Sequence, residues 1–137
     1  MAFNWNENLA TDNTTIDTQH KQLFKAINDL LEACKSRHGQ TSLDSTMRFL
    51  IDYTHKHFKD EEKLQQQYHY PDYPNHKQMH DSFKSSIEEL GKNLITEGPT
   101  PVLITKIASS TGDWLINHIH RQDKKVAAHI HEKASNK

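Results

Sequence analysis

One cysteine, four glycines and four prolines are all that this 137-residue chain holds of those three residue types. A lone thiol, Cys34, cannot form an intrachain disulfide and fits a reducing compartment. So little Gly and Pro leaves few places to break a helix or turn a hairpin, which favours long helices over many short strands. A dominant sign of charge is missing too. The 17 Lys and Arg nearly cancel the 18 Asp and Glu, for a net charge of −1, so there is no basic footprint for nucleic acid or anionic lipid. No apolar run approaches the ~20 residues of a membrane span, and the opening MAFNWNENLA lacks the basic and apolar regions of a signal peptide. The expectation is a cytoplasmic chain, one domain over 1–137, with mixed-charge outer faces and a monomeric state.

What is plentiful is histidine, with 11 residues. Three of them crowd into HYPDYPNHKQMHDSF, residues 69–83, beside two prolines. The sparse punctuation divides the chain into an N-terminal arm (1–15), four long helices (about 16–37, 41–68, 73–97 and 101–120) and a tail (121–137) that could carry a short helix. Spacing inside the helices alternates steps of three and four. The first has His20, Phe24, Ile27, Leu31 and Cys34; the second Leu43, Met47, Leu50, Thr54, His57, Glu61, Leu64 and Tyr68. The third continues with His76, His80, Phe83, Ile87, Leu90 and Leu94, the fourth with Leu103, Ile107, Thr111, Trp114 and His118. Such seams bury one face of each helix, and short connections between them predict an all-α, up-down-up-down antiparallel four-helix bundle.

The polar interruptions of those seams share one height. His57 and Glu61 lie late in the second helix and His76 and His80 early in the third. His20 is early in the first and His118 late in the fourth. Alternating helix direction brings all six to one end of the bundle, while Leu, Ile and Phe fill the other. A single seam histidine is usually a hydrogen-bonded core residue, and His38, His55, His69, His129 and His131, mostly off the seams or in loops, read as solvated. Several imidazoles and a carboxylate buried together without a counter-ion are another matter, because each unpaired charge costs several kcal/mol. A bound metal ion removes that penalty. The i,i+4 pairs His57/Glu61 and His76/His80 stack one turn apart, a spacing that suits chelation. Imidazole alone does not choose among zinc, copper, nickel and iron.

The segments IDTQHKQLFKAINDLL, HFKDEEKL, YPDYPNHKQMHDSF and WLINHIHRQD together resemble the hemerythrin family, in particular the single-domain bacteriohemerythrins. The likeness covers nearly the whole chain. Its ordered signature, His…His-x3-Glu…His-x3-His…His-x4-Asp, is filled at His20, His57, Glu61, His76, His80, His118 and Asp123. Asp123 enters only through this resemblance, since the periodicity alone makes it a surface residue past the fourth helix. The resemblance implies two non-haem iron ions joined by an oxo or hydroxo bridge and by Glu61 and Asp123. His76, His80 and His118 then complete one iron, and His20 with His57 leave an open position on the other. It also implies an apolar oxygen pocket formed by Phe58, Trp114, Leu115 and Ile119.

The function so implied is reversible dioxygen binding, at the peroxide level, for carriage, storage or delivery, and no enzymatic turnover. Five neutral imidazoles favour the high-valent states of oxidative enzymes less than the Glu-rich sites of ferritin-like bundles do. The alternatives are a diiron enzyme acting on nitric oxide or peroxide or in iron-centre repair, and an oxygen or redox sensor with a separate partner. No nucleophile or general base stands outside the seven residues, which disfavours a hydrolase.

Overall fold

Helix α1 begins where Asn13 turns its side-chain oxygen onto the amide of Ile16 at 3.0 Å, an N-cap that satisfies one of the donors a helix start leaves free. The preceding Thr11 is fixed by its hydroxyl and amide, both donating to Asp17 Oδ1 at 2.8 and 3.0 Å. The computed structural model describes residues 3–35 and 40–135. Within them α1 spans Thr14–Lys35, α2 Gln40–Gln67 and α3 Tyr73–Glu97. The expected end of the first helix at Arg37–Gly39, and His38, lie outside the described residues.

The connection from α2 to α3 is short because the chain reverses within a few residues. Tyr70 N–H donates to Gln65 C=O at 2.8 Å and His69 N–H to Gln66 C=O at 3.2 Å, with His69 in the left-handed region at φ 54. This is the two-bond helix stop that needs a left-handed residue just past the cap; histidine tolerates that conformation better than most side chains. Pro74 then sits in the first turn of α3, where a missing N–H costs nothing. At the far end Gly98 takes φ 76 and its amide donates to Leu94 C=O, closing α3. Thr100 caps the fourth rod, its hydroxyl accepting from Leu103 N–H at 3.2 Å.

A helix ending near His120 and a tail that could carry a short helix were expected. The short C-terminal helix is present over Lys124–Ser135, and the backbone between the two stays helical, so that the fourth rod is continuous from 101 to 135. It runs as α4 (Pro101–Ile107), a π-helical stretch (Ala108–Asp113), α5 (Trp114–His118), a second π stretch (Ile119–Asp123) and α6 (Lys124–Ser135). No Gly or Pro stops it after Gly112, and Val126, Ala127 and Ile130 carry its buried face onward. The four rods form an antiparallel four-helix bundle, each packing on its chain neighbour and α1 also on the fourth.

Leu30, Leu31, Leu50, Ile87, Leu94 and Ile107, all at most 2% exposed, belong to the core that closes the end away from the α2–α3 turn. Seam residues Thr54 and Thr111 are buried too and return their hydroxyls to Leu50 C=O (2.7 Å) and Ile107 C=O (2.6 Å), so neither leaves a polar group unmet. The N-terminal arm is pinned across the bundle by Asn28, which accepts from Phe3 N–H at 2.8 Å and donates to Phe3 C=O at 2.7 Å. The Phe3 ring lies directly on Gly112, where an added Cβ would collide with it. Among the described residues no helix is long and apolar enough to cross a membrane.

Candidate metal centre

Seven side chains from all four rods meet at the end of the bundle nearest the α2–α3 turn: His20, His57, Glu61, His76, His80, His118 and Asp123. None is more than 5% exposed. All five imidazoles turn Nε2 inward, and the two carboxylates divide their oxygens between them. Glu61 Oε1 lies 2.9 Å from His76 Nε2 and 3.5 Å from His80 Nε2. Its Oε2 lies 3.3 Å from His57 Nε2 and 3.9 Å from His20 Nε2. Asp123 Oδ1 faces His118 at 3.1 Å and His76 at 3.2 Å, and Oδ2 faces His20 at 2.9 Å. The result is two overlapping groups that could each hold a metal ion. One is Glu61, His76, His80, His118 and Asp123; the other is His20, His57, Glu61 and Asp123.

Asp123 reaches this centre by way of the second π stretch. Five residues of ordinary α-helix would leave it about 140° around the axis from His118. A π turn, with its i→i+5 hydrogen bonds, brings residues five apart back toward one face. The backbone of Ile119–Asp123 takes that form, and Asp123 is 1% exposed.

Burial and the mutual contacts of this cluster pull its titrating groups in opposite directions. Burial and the Asp123 charge push the Glu61 carboxyl up, but His57, His76 and His80 overcome both and hold it below the usual carboxylate range. Burial also raises Asp123, and the His118, His20 and His76 contacts pull it well below. Burial lowers His76, yet Asp123 and Glu61 outweigh it and lift the imidazole to about 9. The same contest raises His20 and His80, whereas burial wins at His57 and lowers it.

Distance and direction disagree here in a way that bears on what belongs at the site. The N···O separations are those of ion pairs. Even so His20 Nε2, His57 Nε2, His80 Nε2, Glu61 Oε2 and both Asp123 oxygens lack a directed hydrogen bond among the described residues, and His118 Nε2 and His76 Nε2 face each other at 3.1 Å. Direction decides, because buried polar atoms left without directed hydrogen bonds are costly, and a cation among them would satisfy them. Imidazole with carboxylate is a donor set that iron accepts, so the residues fit the metal pair that the sequence resemblance implies.

Of the four expected pocket residues, Phe58 and Trp114 touch the rings of this centre. Phe58 stacks flat on His80, ring centroids 3.8 Å apart at 1°, and its ring is 5.7 Å from that of His57. Trp114 stacks on His118 at 4.4 Å and against Phe83 at 4.1 Å. Both aromatics therefore lie flat on histidines of the three-imidazole group. Leu115 and Ile119 are fully buried in the surrounding apolar core.

Reading the sequence missed several supporting side chains. Gln19 Oε1 lies 2.7 Å from His57 Nδ1 and Glu62 Oε2 lies 2.8 Å from His80 Nδ1. Gln65, wholly buried, holds its amide 3.5 Å from Glu61 Oε1. Only their places, next to His20, next to Glu61 and one turn beyond Glu61, hinted at a role. Two histidines read as solvated also have partners. His129 Nε2 lies 2.7 Å from Tyr68 C=O, tying α6 to the α2–α3 turn, and His55 pairs with Glu88 across α2 and α3 at 3.2 Å while staying exposed.

Fold and site define a class: a four-helix bundle with a candidate dinuclear metal centre buried at one end. Residues 11–130 match the family described as the hemerythrin HHE cation binding domain, and the chain belongs to the hemerythrin family. It is 33% identical to a hemerythrin-like protein of Naegleria gruberi over 123 residues, 90% of this chain and 89% of that protein. It is 30% identical to a bacteriohemerythrin of Campylobacter jejuni over 127 residues, 91% of this chain and 92% of the other. A solved structure of wild-type hemerythrin superposes with a TM-score of 0.81 at 26% identity, covering 95% of this chain and 98% of that one.

Proposed function

We propose that the chain binds dioxygen reversibly at a pair of non-haem irons held by His20, His57, Glu61, His76, His80, His118 and Asp123. The observation that carries this reading is the division of each carboxylate: one oxygen toward each imidazole group, as two metals sharing both carboxylates require. His76, His80 and His118 would hold the first ion and His20 with His57 the second, with Glu61 and Asp123 spanning both. A solvent-derived oxo or hydroxo group would complete the expected centre. Three imidazoles against two means that the second position has one protein ligand fewer, and that open position is where a small ligand would enter. Ferrous ions held there would supply the redox chemistry that reversible dioxygen binding needs.

The protein's own contribution is enclosure and exclusion. Phe58, Leu115 and Ile119 are almost wholly buried and keep bulk water and its protons from the site, which slows irreversible oxidation. No side chain is needed to attack a substrate, and the chain binds dioxygen without turning it over. A single buried Cys34 agrees with work in a reducing cytoplasm.

The test is an optical cycle. Protein loaded anaerobically with ferrous ion should be colourless, colour when oxygen is admitted and bleach again under vacuum, over repeated rounds. Colour that forms once and never bleaches would mean irreversible oxidation and would end the carrier reading.

A further inference from the structure

Two of the inward histidines are gripped from behind, and by different chemistry. His80 Nδ1 meets a carboxylate, Glu62 Oε2, at 2.8 Å. His57 Nδ1 meets an amide oxygen, Gln19 Oε1, at 2.7 Å. His20 Nδ1 and His76 Nδ1 have no such partner among the described residues. The direction of each bond can be read. A carboxylate only accepts, so His80 Nδ1 donates to Glu62. The Gln19 amide is oriented by its own donation from Nε2 to Asp60 Oδ2 at 2.9 Å, which leaves its oxygen to accept from His57. Both rings therefore carry a proton on Nδ1 and turn Nε2 inward, the atom through which an imidazole so held binds a metal.

The two holds differ in charge. Glu62 sets a carboxylate directly on His80, with its side chain only 14% exposed. Behind His57 a carboxylate, Asp60, is reached only through Gln19 and is paired with Lys56 at 2.7 Å. A charged acceptor raises the donor strength of the imidazole behind which it sits more than a neutral amide does. Phe58, flat on His80 at 3.8 Å, adds a second constraint to that ring alone.

We propose that Glu62 and Gln19 are positioning residues that make the two metal positions unequal. Glu62 orients and strengthens His80 on the three-imidazole side; Gln19 orients His57 on the two-imidazole side without strengthening it. The ion beside His57 is then the weaker-held of the pair, the last to load and the first to leave. This rests on the metal-binding reading above.

Three variants, Glu62→Gln, Glu62→Ala and Gln19→Glu, test it through anaerobic ferrous-ion affinity, the midpoint potential of the loaded centre, and nitrogen-15 NMR of the metal-free imidazoles. Glu62→Ala should weaken iron binding about 10–100-fold, the usual cost of losing such an outer partner. Glu62→Gln keeps an acceptor oxygen, so it should keep two irons but shift the potential upward as the ferric state loses a nearby negative charge. Gln19→Glu should shift the potential downward and narrow the gap between the two loading steps. In the metal-free chain the His80 Nδ1 proton should be protected from exchange in wild type and Glu62→Gln and lost in Glu62→Ala. Two irons bound with unchanged affinity and potential across all three variants would overturn the positioning roles and leave the iron reading intact. An unprotected His80 Nδ1 proton in wild type would do the same. A wild-type chain that takes up no iron would overturn both.

Discussion

At the end of the bundle away from the α2–α3 turn, the seams are closed by Leu30, Leu31, Leu50, Ile87, Leu94 and Ile107. At the other end the same kind of seam position carries His20, His57, Glu61, His76, His80 and His118. The two sets are nearly equally buried. Burial of the first set stabilises the fold by itself, at roughly 25 cal/mol for each Å² of apolar surface removed from water. Burial of the second costs desolvation that its internal contacts only partly return, as the undirected lone pairs of His20, His57, His80 and Asp123 show. One end is therefore complete as folded, and the other leaves polar atoms that a cation could satisfy. The helix pattern is indifferent to which it builds, because a three-four spacing fixes where a side chain points and says nothing about its chemistry.

The strongest way to separate the two ends is to remove a shared carboxylate. Glu61→Ala should abolish most iron binding, since both metal positions lose an oxygen at once, while helicity of the metal-free chain persists. Full retention of two irons on metal analysis would break the assignment of Glu61 as a bridge. Next come matched truncations. Leu30→Ala and Leu115→Ala each open a cavity in a close-packed core and should each cost about 2–5 kcal/mol in denaturant unfolding. Only Leu115→Ala should also speed autoxidation of the oxygenated protein. Equal autoxidation in the two variants would take Leu115 out of the pocket. A smaller effect is expected at Gly112, where a Cβ meets the Phe3 ring. Gly112→Ala should cost about 1–3 kcal/mol by overpacking, and a Phe3→Ala background should relieve most of it. Asn28→Ala should cost least, about 1–2 kcal/mol for the two bonds to the Phe3 backbone, with iron content unchanged.

Much of this contrast was legible in the sequence, for reasons that also mark the limit of legibility. Seam spacing placed His20, His57, Glu61, His76, His80 and His118 at one end, because a helix turns by a fixed angle per residue and antiparallel helices share heights. Asp123 was invisible to the same rule, since five residues of α-helix carry it off the seam and only the π stretch Ile119–Asp123 returns it. No residue type in that stretch announces a π turn. The fourth helix was expected to end near His120 because the Leu103–His118 stripe ends there; Val126, Ala127 and Ile130 form a new stripe rotated by the two π stretches. Gln19 and Glu62 escaped notice because a residue that holds a histidine from behind needs no periodic position, only the right neighbour in space.

The most direct test is the number of irons the chain holds. Anaerobic titration with ferrous ion, followed by desalting and metal analysis, should give two irons per chain in two resolvable steps, with the optical bands of a coupled pair after oxygen is admitted. A plateau at one iron per chain, or none retained after desalting, would contradict a centre built on two shared carboxylates.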